Sequence, residues 1–323
     1  MGQRPGCNFD HMPEVFHQTF PAPDYDLDAT LSSGQTFRWT KASSGWTGVI
    51  GNRWVGLSKE ESAIKAQTVQ QPEDWQWLTN YLQLEVDFAE IIRSFPDHPA
   101  MHAAVLHCRG LRLLRQDPWE CLASFILSST KQIVQIQQII ALLTQRYGAP
   151  LGVPDGHPPI NSFPSPQRVA ALTEQELRAC KMGFRAPYLL ATARRITTDF
   201  DLASVGNVDL TTAREMLLCL PGVGRKIADC VLLFAFGFQK AFPIDVWLLK
   251  ALRQLFFPRR RLPVSRLHGL VEAQFGPHAG FAQQFLFHYV RTRPSALPNS
   301  RVRKARSLPH HSKPQRPSNG SQD

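Results

Sequence analysis

Long apolar runs are missing from this sequence. No uninterrupted stretch approaches the ~18 apolar residues of a membrane-spanning helix, and the first residues lack the pattern of a secretory signal. We therefore expect no membrane partner. We also expect an intracellular location, which would be the cytoplasm or nucleoid in a prokaryote and the nucleus in a eukaryote.

Cysteines are few and scattered. They are Cys7, Cys108, Cys121, Cys180, Cys219 and Cys230. None of them shows the close spacing that holds a metal ion, and such isolated thiols are typical of a reducing compartment. We expect free thiols, no disulfides, no metal site and no other cofactor.

Acidic residues nearly disappear at the C-terminal end. From Arg291 onward there are eight Lys and Arg residues against one acid, Asp323. The whole chain has a net charge of +10, and before Arg291 the basic and acidic residues nearly balance. The shift to Pro, Ser, Arg and Lys predicts a basic disordered tail over 294–323. Such a tail suits a phosphate-rich partner, because counterion release favours binding to nucleic acid. It is equally consistent with a solvated segment that maintains solubility.

The rest of the chain divides into a strand-rich and a helix-rich part. Residues 1–22 have no clear period and are interpreted as an N-terminal arm. Four short segments separated by turn residues have the character of strands: 36–39, 45–50, 53–57 and 63–69. They predict an antiparallel β domain over 23–100. After Trp75 the apolar residues recur at helical spacing, and 101–293 is predicted to be a helical domain.

A glycine-rich hairpin lies inside the helical part. Leu220-Pro221-Gly222-Val223-Gly224-Arg225-Lys226 separates two predicted helices, 211–219 and 225–236. Gly222 and Gly224 permit a tight reversal and leave backbone N–H groups uncovered at the start of the second helix. A nucleic-acid phosphate suits this anion site.

Lys226 follows the hairpin and is the first candidate catalytic residue. A lysine must lose its proton to attack carbon, which requires a pKa of about 7–8 rather than about 10.4. A helix N-terminus contributes only about 0.3–1 kcal/mol. Burial among the apolar neighbours Ile227, Ala228 and Val231 would therefore have to supply most of the change. Contact with a phosphate alone is the alternative.

Asp245, in Phe242-Pro243-Ile244-Asp245, is the second candidate catalytic residue. It precedes an apolar-periodic stretch, 246–255, where an aspartate is a natural N-cap. The same carboxylate could stabilise a developing oxocarbenium ion or help to move protons. A role as a cap alone is the alternative, but its combination with Lys226 favours catalysis.

The hairpin, Lys226 and the Pro-x-Asp at 243–245 resemble the bifunctional branch of the helix-hairpin-helix DNA glycosylase superfamily. The resemblance implies that the lysine amine displaces a damaged base, forms a Schiff base and leads to strand cleavage by β-elimination. Another branch with this lysine usually adds four closely spaced cysteines for an iron–sulfur cluster. No cysteine follows Cys230, which argues against a cluster.

Further motifs are similar to the 8-oxoguanine DNA glycosylase/lyase family, from about Asp26 to Tyr289. They are Ser33-Gly34-Gln35-Thr36-Phe37-Arg38-Trp39, Leu111-Arg112-Leu113-Leu114-Arg115-Gln116-Asp117-Pro118, Gly183-Phe184-Arg185-Ala186, Lys226-Ile227-Ala228-Asp229-Cys230 and Gly280-Phe281-Ala282-Gln283. The similarity implies an α+β fold: an N-terminal antiparallel β-sheet domain followed by two mainly α-helical lobes containing a helix-hairpin-helix motif. The active site would lie between the lobes.

The resemblance also implies how the base is recognised. The carbonyl of Gly34 would accept from the proton that 8-oxoguanine carries on nitrogen 7 and guanine lacks, and glycine allows the close backbone approach. The extruded base would lie between Phe287 and Cys230 in a site that includes Pro243, and Gln283 would read its Watson–Crick edge. A turn glycine and ordinary helix-core residues are the simpler interpretations.

The same resemblance assigns DNA contacts outside the base pocket. Phe184 would wedge into the gap that the lesion leaves, and Arg185 would bond the orphaned partner base. Gly222 and Gly224 would contact the backbone through their N–H groups.

This sequence departs from the family at the residues expected to face the opposite strand. Ser128-Ser129 is followed by Thr130-Lys131-Gln132 instead of an Asn-Asn stretch, and Gln135 occupies the position of an arginine that grips cytosine. Glutamine lacks the charge and the fork geometry of arginine. We expect weaker discrimination for cytosine opposite the lesion. Trp247 also replaces a histidine usually found near the lesion's phosphate.

The expected function is that of a bifunctional DNA repair glycosylase. It would act as a monomer on double-stranded DNA containing 8-oxoguanine, excising the base and cleaving the strand. A related glycosylase with another range of oxidised bases and a non-catalytic DNA-binding module are the alternatives.

Overall fold

The computed structural model describes residues 14–129, 131–258 and 262–297. Most of the predicted basic tail, from residue 298 on, lies outside the described residues, and so do the first 13 residues of the predicted arm. Within the described ranges, no helix combines the length and the apolar character needed to cross a bilayer.

An antiparallel sheet of five strands in the order β1-β5-β4-β3-β2 confirms the predicted β domain. The strands are β1 (Phe16–Pro21), β2 (Thr40–Ala42), β3 (Gly45–Ile50), β4 (Arg53–Glu60) and β5 (Ala63–Thr68). The β3–β4 hairpin turns at Gly51, whose φ of 58° suits glycine. Buried Trp46, Leu57 and Ile64 pack with α1 (Leu27–Ser32) and α2 (Gln76–Leu82).

Two sequence-based predictions in this part are wrong. Residues 16–21 are not part of an arm, since β1 pairs with β5 from Phe16↔Thr68 to Pro21↔Ala63. This edge strand is mostly exposed and has little hydrophobic pattern, so its partner far along the chain determines its structure. Residues 36–39 do not form a strand, and β2 begins only at Thr40.

Helices form most of the rest of the described chain, apart from a helix-free stretch at 148–165. They are α3 (Phe88–Arg93), α4 (Pro99–His107), α5 (Pro118–Leu127), α6 (Ile133–Tyr147), α7 (Pro166–Ala170), α8 (Glu174–Arg178), α9 (Ala186–Thr198), α10 (Leu210–Leu218), α11 (Arg225–Val231), α12 (Val246–Ala251), α13 (Val264–Gln274) and α14 (Ala279–Thr292). The apolar stretch after α11 continues as a π-helical segment, Leu232–Phe236. The two helices predicted around the hairpin are confirmed as α10 and α11.

The helices pack into two lobes, each with its own hydrophobic cluster. The first lobe contains α5 to α11, with Leu122, Ile139 and Val231 among its fully buried residues. The second lobe contains α12, α13 and α14 together with α4, which precedes the first lobe in the chain. Because α4 packs against α14, the second lobe is built from two distant segments. The connection from α11 to α12 therefore passes from one lobe to the other.

Candidate active site

The hairpin between α10 and α11 contains two glycines with different constraints. Gly222 has a φ of 76°, and an added Cβ would lie 2.6 Å from Cβ of Tyr188. Gly224 is the N-cap of α11, and an added Cβ there would meet nothing within 4 Å. Gly222 is thus required by the turn and its packing. Gly224 lies at an open surface that a phosphate could approach.

A buried ion pair holds the two hairpin helices together. Arg214 Nε of α10 lies 2.7 Å from Asp229 Oδ1 of α11, and the Asp229 side chain is only 1% exposed. Burial raises the pKa of this carboxyl, and the charge and hydrogen bond of Arg214 oppose that rise. Arg225 Nε lies 3.8 Å from the other carboxylate oxygen. The pair links α10 to α11, the helix that carries Lys226.

A pocket of about 800 Å³ lies where the two lobes meet. Six of the predicted site residues line it: Gly34, Gly222, Gly224, Lys226, Asp245 and Phe287. Trp247, which is 38% exposed, also lines it. Residues separated by more than two hundred positions in the chain therefore share one cavity.

Lys226 enters this pocket from α11 and is half-buried. Its Nζ donates to Ser128 Oγ at 3.2 Å and lies 4.9 Å from the centroid of the Phe125 ring. The Ser128 hydroxyl donates to the Phe125 carbonyl at 2.7 Å, so it can only accept from the lysine. The sequence motif contained Ser128 but gave no sign of this contact, because the two residues are distant in the chain.

Asp245 enters the same pocket from the start of α12. Its Oδ1 accepts from the backbone N–H of Leu248 at 2.8 Å, which confirms the predicted N-cap. Burial raises the pKa of the Asp245 carboxyl, while the Leu248 hydrogen bond and the charge of Lys226 act in the opposite direction. The cap orients the carboxylate without excluding it from chemistry.

Gly34 lies in a turn that is fastened by the side chain of Gln35. Gln35 is fully buried, and its Nε2 donates to the carbonyls of Thr30 and Arg112 at 3.0 and 2.9 Å. Its Oε1 accepts from the Leu114 N–H at 2.8 Å. These bonds join the first two family motifs.

The predicted base-stacking residues lie on α11 and α14. Phe287 is half-buried, and the Arg291 guanidinium lies 5.7 Å from its ring centroid. Cys230 is 4% exposed, and burial raises the pKa of its thiol to about 12. The thiol is therefore neutral at physiological pH and behaves as a small hydrophobic group. Pro243 is buried and precedes Asp245 in the connection between the lobes.

Gln283 has an unusual hydrogen-bonding state. Its side chain is 4% exposed, and among the described residues no donor reaches its Oε1. Leaving such an acceptor unsatisfied costs about 1–3 kcal/mol. Gln283 is not among the residues that line the pocket.

Phe184 and Arg185 lie away from the pocket lining. Phe184 is 55% exposed, as a wedge residue would be, and its ring centroid is 4.2 Å from the Arg185 guanidinium. Arg185 is only 3% exposed and donates to the carbonyls of Ser129 and Met182. In this conformation Arg185 is bonded to its own chain.

Gln135, which stands where the family has an arginine, lies in the first turn of α6. Gln135 is exposed, and its Oε1 accepts from the backbone N–H of Gln132 at 3.1 Å. The amide therefore caps its own helix. Thr130, the other departure, lies outside the described residues.

Comparisons with known proteins agree with this architecture. Residues 19–122 match the 8-oxoguanine DNA glycosylase, N-terminal domain, and residues 123–268 match the HhH-GPD superfamily base excision DNA repair protein. The chain is 30% identical over 294 residues to the N-glycosylase/DNA lyase OGG1 of Arabidopsis thaliana, covering 85% of this chain and 80% of that protein. A probable N-glycosylase/DNA lyase of Methanothermobacter thermautotrophicus is 27% identical over 300 residues, with 84% and 95% covered.

A solved structure shows the same fold. It is the Clostridium acetobutylicum 8-oxoguanine glycosylase/lyase in complex with dsDNA containing cytosine opposite to 8-oxoG, with a TM-score of 0.80 and 28% identity. The match covers 86% of this chain and 98% of that one. The sequence motifs, the two-lobed helical fold and the pocket beside the hairpin thus have one explanation. The chain therefore belongs to the 8-oxoguanine DNA glycosylase/lyase family, within the helix-hairpin-helix base excision repair superfamily, and is a DNA glycosylase with AP lyase activity.

Proposed function

We propose that this protein excises 8-oxoguanine from duplex DNA through a Schiff base on Lys226 and then cleaves the strand by β-elimination. One observation carries the proposal: Lys226 of the first lobe and Asp245 of the second line the same pocket of about 800 Å³. A lysine and a carboxylate brought together from separate lobes have no evident structural purpose beyond the N-cap.

The chemistry uses the two residues in different roles. The Lys226 amine attacks C1′ of the damaged nucleotide, and the bond from C1′ to N9 breaks with its electron pair leaving on the base. The Asp245 carboxylate stabilises the positive charge that develops on the sugar. One proton of the attacking nitrogen passes to the departing base, and the ring then opens as the C1′–O4′ bond breaks and its oxygen takes up a proton from solvent, which leaves the protonated Schiff base. Loss of a proton from C2′ then expels the 3′ phosphate, which cleaves the strand.

The proposed base site combines Gly34 and Phe287, which line the pocket, with Gln283, Cys230 and Pro243, which are not among its lining residues. The unpaired Oε1 of Gln283 is an acceptor for the N–H groups of the guanine Watson–Crick edge. The Gly34 carbonyl is an acceptor for the proton on nitrogen 7, which guanine itself does not carry. Phe287 and the neutral thiol of Cys230 supply apolar surfaces on either side, with Pro243 completing the base site. A normal guanine would place a lone pair against the Gly34 carbonyl.

The DNA around the lesion would contact the hairpin and the exposed aromatic. We assign the N–H groups of Gly222 and Gly224 to a phosphate, and Phe184 to the gap left by the extruded base. Arg185 would have to exchange its bond to the Ser129 carbonyl for one to the orphaned base. Double-stranded DNA is the proposed partner. A monomer suffices, because one chain supplies all of these groups.

Covalent trapping tests the nucleophile. Reduction with borohydride during the reaction should link the native protein to a duplex containing 8-oxoguanine, and Lys226→Gln should give no adduct. Lys131→Gln is the matched control, since Lys131 lines the same pocket and is expected to leave the adduct in place. An adduct that persists in Lys226→Gln, or disappears equally in Lys131→Gln, would contradict the assignment.

An incision assay with each of the four bases opposite the lesion tests the expected loss of selectivity. Gln135 carries no charge and caps α6, so it offers no fork-shaped donor to cytosine. The preference for cytosine should therefore be weak, and Gln135→Arg should strengthen it. A strong cytosine preference in the native protein would show that another residue reads the opposite base.

A further inference from the structure

The turn that contains Gly34 is held by side chains of α14. Gln284 Nε2 donates to the Ser33 carbonyl at 3.2 Å, and Gln284 is only 2% exposed. Arg291 Nη2 donates to the Ser32 carbonyl at 2.7 Å. Two consecutive backbone acceptors of the β domain are thus bonded by two residues located about 250 positions later in the chain.

The carbonyl on the other side of Gly34 is also occupied. Gln116 Nε2 donates to the Gln35 carbonyl at 2.7 Å. In the part of the chain that the structure describes, no donor reaches the Gly34 carbonyl itself. The neighbours of this acceptor are therefore fixed, while the acceptor remains available to a ligand in the pocket that Gly34 lines.

The same helix face also supports the stacking ring. Gln284, Phe287 and Arg291 are spaced at i, i+3 and i+7, which places them along one side of α14. The Arg291 guanidinium bonds the Ser32 carbonyl and lies 5.7 Å from the Phe287 ring centroid. One rigid element therefore sets the distance between the ring and the turn.

Lesion discrimination needs such a support. A glycine with a φ of 81° has no side chain to restrict its peptide planes. The strength of a hydrogen bond falls steeply when its angle drops below about 120°. A carbonyl that could rotate away would neither accept well from 8-oxoguanine nor repel guanine.

We propose that Gln284 and Arg291 are positioning residues for lesion discrimination: by holding the carbonyls of Ser33 and Ser32, they keep the Gly34 carbonyl directed at nitrogen 7 of the base. This inference rests on the proposed function. Neither residue is among those that line the pocket; both act through Gly34, and Arg291 acts also through Phe287.

The first measurement compares affinities in a Lys226→Gln background, which prevents turnover. The dissociation constants for duplexes containing 8-oxoguanine or guanine give a discrimination ratio. Gln284→Met and Arg291→Met each remove one donor while preserving much of the side-chain volume. Each should lower the ratio by about fivefold, in line with the loss of one well-placed hydrogen bond. Arg291→Lys, which keeps a donor and a positive charge beside Phe287, should recover part of it.

The second measurement uses strand cleavage of abasic DNA with Lys226 present. This substrate has no base to recognise, so its cleavage should fall much less than the excision of 8-oxoguanine. Asn161→Leu is a matched control for general loss of stability. Asn161 donates from its amide to the carbonyls of Thr144 and Gln145 at 3.0 and 3.1 Å, away from the pocket. It should lower the melting temperature without changing the discrimination ratio.

The outcomes separate the two proposals. A discrimination ratio that is unchanged in both folded methionine variants overturns the positioning role. An equal loss of 8-oxoguanine excision and abasic-site cleavage also overturns it, because it would show a general structural effect. If the native protein neither cleaves abasic DNA nor prefers the 8-oxoguanine duplex, the proposed function itself fails.

Discussion

Replacing Gly34 with alanine tests the recognition model at its most sensitive point. Gly34 has a φ of 81°, so alanine would be strained there by about 1–2 kcal/mol. The new Cβ would lie 2.8 Å from Cδ1 of Ile133 and 3.5 Å from Cε1 of Phe287. The first contact requires a shift of a flexible side-chain end. The second adds a methyl group beside the ring assigned to stack on the base.

A matched glycine separates backbone strain from the effect on the pocket. Gly156 has a φ of 76°, and a Cβ added there meets nothing within 4 Å. Gly156→Ala should therefore show a similar loss in the free energy of unfolding, measured by urea titration, with normal binding of DNA. The added variant Gly34→Ala/Ile133→Val removes Cδ1, which relieves the closest contact but leaves the strained backbone.

The decisive assay is the affinity for duplexes containing 8-oxoguanine and guanine. Losing the hydrogen bond from the lesion to the Gly34 carbonyl should weaken 8-oxoguanine binding by up to about tenfold. Binding of the guanine duplex should change far less. Gly34→Ala/Ile133→Val should regain some stability without regaining discrimination. The reasoning is refuted if Gly34→Ala keeps the native ratio of affinities, or if Gly156→Ala loses it.

Three further predictions follow from individual contacts. Asp245→Asn should abolish most excision with little loss of stability, because an amide oxygen still caps α12. The control is Asp209→Asn at the N-cap of α10, which should leave excision normal. Equal excision activity in both variants would contradict catalysis by Asp245. Arg214→Met should lower the free energy of unfolding by on the order of 3 kcal/mol, since it leaves Asp229 buried without its main partner; a thermal shift near zero would refute this. Burial and neighbouring arginines lower the pKa of His268 from 6.5 to about 4. The free energy of unfolding should therefore fall as the pH drops through that interval, and His268→Gln should make this fall smaller. Identical pH profiles of stability in the two proteins would contradict this prediction.

Local sequence patterns were sufficient to predict several helices and strands. The alternation and the Gly51 turn predict β3 and β4, and the apolar periodicity with Asp245 in front of it predicts α12 and its cap. The hairpin glycines likewise predict where α10 ends and α11 begins. These features depend on residues close together in the chain, so the sequence contains the relevant information directly.

Elements that depend on distant partners were not predictable in this way. Strand β1 contains only two large apolar residues, Phe16 and Phe20, and it forms because its backbone pairs with strand β5. Helix α4 has a sequence pattern like that of the neighbouring helices, but it packs into the second lobe against α14. The contact of Lys226 with Ser128 arises only when α11 packs against α5.

Gln283 and Gln284 show most clearly where prediction from the sequence ends. They are identical residues at adjacent positions of one helix, and both are almost fully buried. In the structure Gln284 bonds the Ser33 carbonyl, whereas the Oε1 of Gln283 has no donor among the described residues. The sequence by itself determined the secondary structure around the hairpin and identified Lys226 and Asp245 as the candidate reactive pair. Only the tertiary structure decided which amide bonds the turn and which keeps an unpaired oxygen, because that depends on groups brought together from opposite ends of the chain.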